Sequence, residues 1–131
     1  MKTISPIRQQ DTWGSGGFGD PRGDRVHRGI DYNCAVHSRV LAPVTGKVTK
    51  LGYTYPDDLR FRYVQITDEK GLKFRSFYVE PCVKKGDMVI KDTNIIGTTQ
   101  MLGHRYPSIT EHCHLEIIDK EGAYLNPEDY L

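Results

Sequence analysis

A chain of 131 residues is long enough for one modest hydrophobic core. Hydrophobic residues make up 37% and charged residues 27%, which excludes a disordered segment, and a net charge of +1 offers no general field for nucleic acid or an anionic membrane. No apolar run approaches the length of a bilayer span, and the opening MKTISPIRQQ lacks the apolar stretch of a secretory signal.

In chain order, residues 12–24 (TWGSGGFGDPRGD) are Gly-rich and interrupted by Pro21, which predicts irregular structure. Their G-x-G-x-x-G spacing, at residues 14–19, follows no strand and precedes Pro21, so a dinucleotide-binding turn is set aside. Residues 36–50 read as two short strands around a turn at 43–46. Residues 61–67 alternate, Gly71 breaks the chain, and residues 72–79 follow, which predicts a hairpin. Short β-like pieces come next at 88–90 and 95–100. Residues 111–118 alternate strictly, and residues 125–131 form a short tail. No segment carries helical periodicity for more than a turn or two. The expectation is one all-β domain over residues 1–131, mainly antiparallel, with residues 1–16 as an extension. Cys34, Cys82 and Cys113 are too few and too irregular for a disulfide framework, and are expected to be reduced and mostly buried.

Two compact motifs carry metal-type chemistry. His27 and Asp31 form an H-x-x-x-D. His112 and His114 form an H-x-H inside the 111–118 strand. Strand side chains alternate, so both histidines face one way with Glu116, on the polar side, while Cys113, Leu115 and Ile117 face the core. Both histidines can be ligands, or one can bind metal while the other moves protons. His27, Asp31 and His114 make a three-ligand N/O set with a position open to water, the pattern of a catalytic zinc site. Zinc brings the pKa of a bound water to about 7.

With these motifs the chain resembles the lysostaphin/LytM-type zinc metallopeptidases, endopeptidases that act on peptidoglycan. The resemblance spans about residues 17–131. It rests on HRGID (27–31), VLAPVTGKV (40–48), FYVEP (77–81), VKKGDMV (83–89), IIG (95–97) and HCHLEI (112–117). It implies a small antiparallel β domain with a groove across the sheet, and Zn2+ on His27, Asp31 and His114. It also implies that His112 activates the water or stabilises the tetrahedral oxyanion. The family's Tyr-x-His-Leu appears here as Tyr78-Val79-Glu80-Pro81. Glu80 thus stands where a second catalytic histidine belongs, as a candidate general base. The leukocyte-derived chemotaxin branch shares this Tyr-x-x-Pro, and its likeness implies zinc binding without clear peptidase activity.

The expected function is therefore zinc-dependent hydrolysis of stem peptides or cross-bridges in peptidoglycan, with an inactive zinc-stabilised wall-binding module as the alternative. The partner is the peptide part of peptidoglycan. Without a signal sequence, action at the wall or periplasm implies delivery by a phage or secretion system. A biotinyl- or lipoyl-carrier-like domain shares the 41–48 and 83–89 half-motifs but lacks their Met-Lys-Met hairpin tip and gives no reason for the histidines. His37 is expected on a surface turn, and His104 in the loop leading to the H-x-H strand, exposed there or, as the alternative, supplying the missing histidine to the groove. Asp20 and Asp24 fit turn chemistry or support of His27. Tyr78 and Tyr106 are candidates for lining the groove or packing beneath it.

Overall fold

The computed structural model describes residues 17, 21–22, 25–26, 28–107, 109 and 111–131. His27, Asp20 and Asp24 lie outside them. Twelve strands are found among the described residues: β1 (Pro21–Arg22), β2 (Arg25–Val26), β3 (Ile30–Asn33), β4 (Arg39–Leu41), β5 (Gly46–Tyr55), β6 (Asp58–Thr67), β7 (Lys73–Phe77), β8 (Val79–Pro81), β9 (Met88–Val89), β10 (Ile95–Thr99), β11 (His112–Ile118) and β12 (Tyr124–Leu125). The only helical segments among them are 3₁₀ turns at Leu102–His104 and Pro127–Asp129. The expected all-β, antiparallel fold is what forms.

The larger sheet runs β12-β11-β7-β6-β5-β9, and β3 joins it by pairing with β11. β3 and β12 share one edge of β11, β3 along His112 to Leu115 and β12 along Ile117 and Ile118. The second sheet runs β4-β10-β8. Between the sheets lies a core of Val40, Ala42, Val48, Val64, Ile66, Val79, Val89 and Ile96. Burying such branched side chains stabilises the fold by about 1.5–3 kcal/mol each.

The 61–67/72–79 hairpin forms as β6 and β7. Its turn is built by Asp68, whose Oδ1 accepts from the amides of Lys70 and Leu72 at 2.9 Å each, and by Gly71 at φ 85°. Two features depart from the sequence reading. The β5–β6 hairpin runs through residues 51–60, beyond the expected strands, and turns at Pro56-Asp57. Gly52 is needed within β5. A Cβ there would lie 2.2 Å from Cζ of Tyr63, whose ring crosses the strand at that point. Residues 30–33 form β3, where the sequence reading covers only Ile30 and Asp31, as part of a ligand motif. Of the cysteines, Cys113 is buried and Cys34 half-buried, but Cys82 is exposed, because it lies beyond the end of β8.

Candidate active site

β11 sets the site. Alternation places His112, His114 and Glu116 on one face, and Cys113, Leu115 and Ile117 on the other. In the β3–β11 register Asp31 stands opposite His114, and Tyr32 stands opposite Cys113. Asp31 therefore shares the histidine face. This face was expected to be the polar side, yet Asp31 and His112 are each 3% exposed and His114 9%. The reason is aromatic cover. Phe77 lies against the His114 ring at 5.3 Å between centroids, and Tyr78 meets the His112 ring edge-on at 5.6 Å and 89°.

His114 Nδ1 lies 2.6 Å from Asp31 Oδ1, and its Nε2 lies 2.9 Å from Glu116 Oε2. Burial works against the imidazolium, but the hydrogen bonds and charges of Asp31 and Glu116 outweigh it and push the His114 pKa up to about 9. Asp31 Oδ2 lies 3.5 Å from His112 Nε2. One carboxylate thus reaches toward both histidines. On the opposite face of the same seam, the Cys34 thiol hydrogen-bonds Cys113. This bond pulls the Cys34 pKa down and, together with burial, pushes that of Cys113 up.

Gly29 explains how the HRGID segment comes so close. A Cβ at residue 29 would lie 2.2 Å from the Leu115 carbonyl oxygen and 2.9 Å from His114 Cε1. Only a glycine lets the chain pass directly over the imidazole. His27 lies two residues before it.

The donor chemistry suits a divalent metal. Asp31 and His114 supply oxygen and nitrogen, and Glu116 can hold the second ring nitrogen of His114, as carboxylates commonly do for metal-bound histidines. The Asp31–His114 contact of 2.6 Å is a hydrogen bond that an ion would replace. Among the described residues no three His, Cys, Asp or Glu side chains form a metal cluster. The third donor expected from sequence, His27, is not among them. The pair therefore fits two positions of the set.

Glu80 is not brought to this group. It lies on β8, in the smaller sheet, exposed, with Oε2 3.4 Å from Gln100 Nε2. It lines a cleft of about 320 Å³ with His37, Arg60, Phe61, Gln100 and Met101. His37 is exposed on a turn, as expected, at φ 62°.

Two features were not legible in sequence. Glu116 was placed on the right face but given no role; its i+2 spacing from His114 was the available signal. The other is a chain of phenols. Tyr106 Oη donates to Tyr55 Oη at 2.7 Å, and Tyr55 Oη lies 2.9 Å from Tyr78 Oη. Arg105 Nε donates to Tyr106 Oη at 3.2 Å, and its guanidinium lies 3.8 Å from the Tyr55 ring centroid. Tyr78 itself has φ 65°, a conformation that costs a residue with a side chain about 1–2 kcal/mol.

Comparison with known proteins agrees with the all-β fold. The chain is 32% identical over 126 residues to leukocyte cell-derived chemotaxin-2 of Mus musculus, covering 95% of this chain and 82% of that protein. The antimicrobial peptidase lysostaphin from Staphylococcus simulans superposes with a TM-score of 0.73 at 20% identity, covering 99% of this chain and 55% of that one. A zinc containing peptidase from Vibrio cholerae superposes with a TM-score of 0.63 at 22% identity, covering 92% of this chain and 36% of that one. The chain thus spans about half or less of these two solved proteins, and the likeness is one of fold. The model of peptidase family M23 matches residues 25–127, so the chain belongs to that family.

Proposed function

We propose that the chain is a zinc-dependent endopeptidase that hydrolyses peptide bonds in the stem peptides or cross-bridges of bacterial peptidoglycan. The reading is carried by one observation: Asp31, His112 and His114 meet in a buried cluster on β3 and β11 of an M23 chain. His27, Asp31 and His114 are the assigned metal ligands and Glu116 the residue that orients His114. A zinc ion held by these residues would supply Lewis acidity toward the attacking water and the scissile carbonyl. His112, fixed between Asp31 and the Tyr78 ring, takes the proton of the attacking water and returns it to the leaving amine. Glu80 as a second base finds no support in contacts among the described residues.

A second reading keeps the metal without turnover. Glu80 occupies the position of a family imidazole and faces another cleft, which favours a zinc-stabilised wall-binding module.

The two readings separate in one experiment. Purified sacculi and defined muropeptides are incubated with zinc-loaded protein, and products are read by mass spectrometry. The peptidase releases peptides, and chelator, His114→Ala or His112→Ala abolishes release. Stoichiometric zinc and wall binding with no product from any wall type would establish the binding module instead.

A further inference from the structure

A regular strand sends consecutive side chains to opposite faces. Phe77 and Tyr78 break this rule: the first covers His114 and the second covers His112, two side chains on one face of β11. The left-handed backbone at Tyr78, between β7 and β8, makes that possible. Strain of this kind is kept where the surrounding structure fixes a side chain in one place.

The ring is fixed through its hydroxyl. Tyr106 donates to Tyr55, which leaves the Tyr55 proton available to Tyr78, although either oxygen of the Tyr55–Tyr78 pair can donate. In the arrangement where Tyr55 donates, the Tyr78 proton points onward, with no further hydrogen bond of the Tyr78 hydroxyl among the described residues. The chain begins at a cation, Arg105, which polarises each O–H in the same direction and makes the last one the better donor. Asp58 anchors that guanidinium at 3.3 Å. Burial pushes the Tyr78 phenol pKa up and outweighs the hydrogen bond with Tyr55, which draws it down, so the phenol keeps its proton.

We propose that Tyr78 is a further catalytic residue of the peptidase reaction, donating a hydrogen bond to the substrate carbonyl oxygen as that oxygen becomes negative, with Tyr55, Tyr106 and Arg105 as its positioning residues. The inference rests on the peptidase reading. Water adds to the carbonyl carbon, its proton passes through His112 to the amine nitrogen, and the C–N bond breaks. Tyr78 keeps its own proton throughout, so the balance of the reaction is untouched.

The test compares zinc-loaded full chain with Y78F and Y55F. Turnover of a defined muropeptide is measured beside calorimetric binding of a phosphinic-peptide transition-state mimic and zinc stoichiometry. Y78F keeps the ring and loses only the hydroxyl. It is expected to lower kcat by about 100-fold with KM within about twofold. It should also weaken the phosphinate at full zinc occupancy, and Y55F should show a smaller loss of the same kind. Unchanged kcat and unchanged phosphinate affinity in Y78F would overturn the assignment while leaving the peptidase reading intact. Absence of turnover in the unmodified protein would overturn that reading and the assignment with it.

Discussion

At residue 29 the site depends on the absence of a side chain. The His114 ring and the Leu115 carbonyl occupy the space a Cβ would need, and the carbonyl belongs to the centre of the sheet and cannot swing away. Gly29→Ala should therefore push β3 off β11 locally. The expected cost is about 1–3 kcal/mol in chemical denaturation, accompanied by reduced zinc stoichiometry. Wild-type stability with full zinc binding would mean that the HRGID segment has another route past His114. The sequence names this glycine only as a spacer in H-x-x-x-D; its reason is a contact with residues more than eighty positions away. His112 and His114 were legible because strand alternation is local and fixes a face, and Asp31 because its spacing from His27 in H-x-x-x-D is short. The phenol chain was not, because Tyr55, Tyr78 and Tyr106 come from three separated segments and meet only in the folded protein.

Elements differ in how openly the sequence declares them. β11 is plain from alternation, since Cys113, Leu115 and Ile117 alternate with polar side chains. Its burial on both faces is not, because the cover over the histidines comes from Phe77 and from the kink at Tyr78. β3 is four residues long and carries Asp31 and Asn33, poor strand formers that pairing with β11 overrides. The entry to β11 depends on Glu111. Its two carboxylate oxygens accept from the amides of Leu102 at 2.7 Å and Gly103 at 3.0 Å, at the start of the 3₁₀ turn. That turn leads directly to Arg105 and Tyr106. Glu111→Ala should cost about 0.5–2 kcal/mol, the range for a lost side-chain cap, while Glu111→Gln, which keeps one acceptor, should cost less. Amide exchange at Leu102 and Gly103 checks it: exchange should accelerate in the alanine variant ahead of β11 itself. Unaltered exchange would show that the turn is held by the burial of Leu102 alone.

In the whole molecule, stability and chemistry draw on different ground. The apolar core lies between β5–β6 of the larger sheet and the β4-β10-β8 sheet, whereas Asp31, His112 and His114 lie on the β3–β11 seam with Ile30, Tyr32, Cys113 and Leu115 packed behind them. Ile96, fully buried in β10, belongs to the first cluster. Ile96→Val removes one methylene and should cost about 0.5–1.5 kcal/mol. For a chain of this size, about 1 kcal/mol lowers Tm by roughly 3–6 °C. Because no member of the site packs on Ile96, muropeptide turnover at 25 °C and zinc stoichiometry should stay at wild-type values while Tm falls. Scanning calorimetry beside an activity assay on the same preparation reads both. A several-fold fall in kcat at 25 °C would mean that the two sheets act as one mechanical unit. In that case the step between them at Tyr78, the residue joining β7 to β8, is where strain from the core would reach His112.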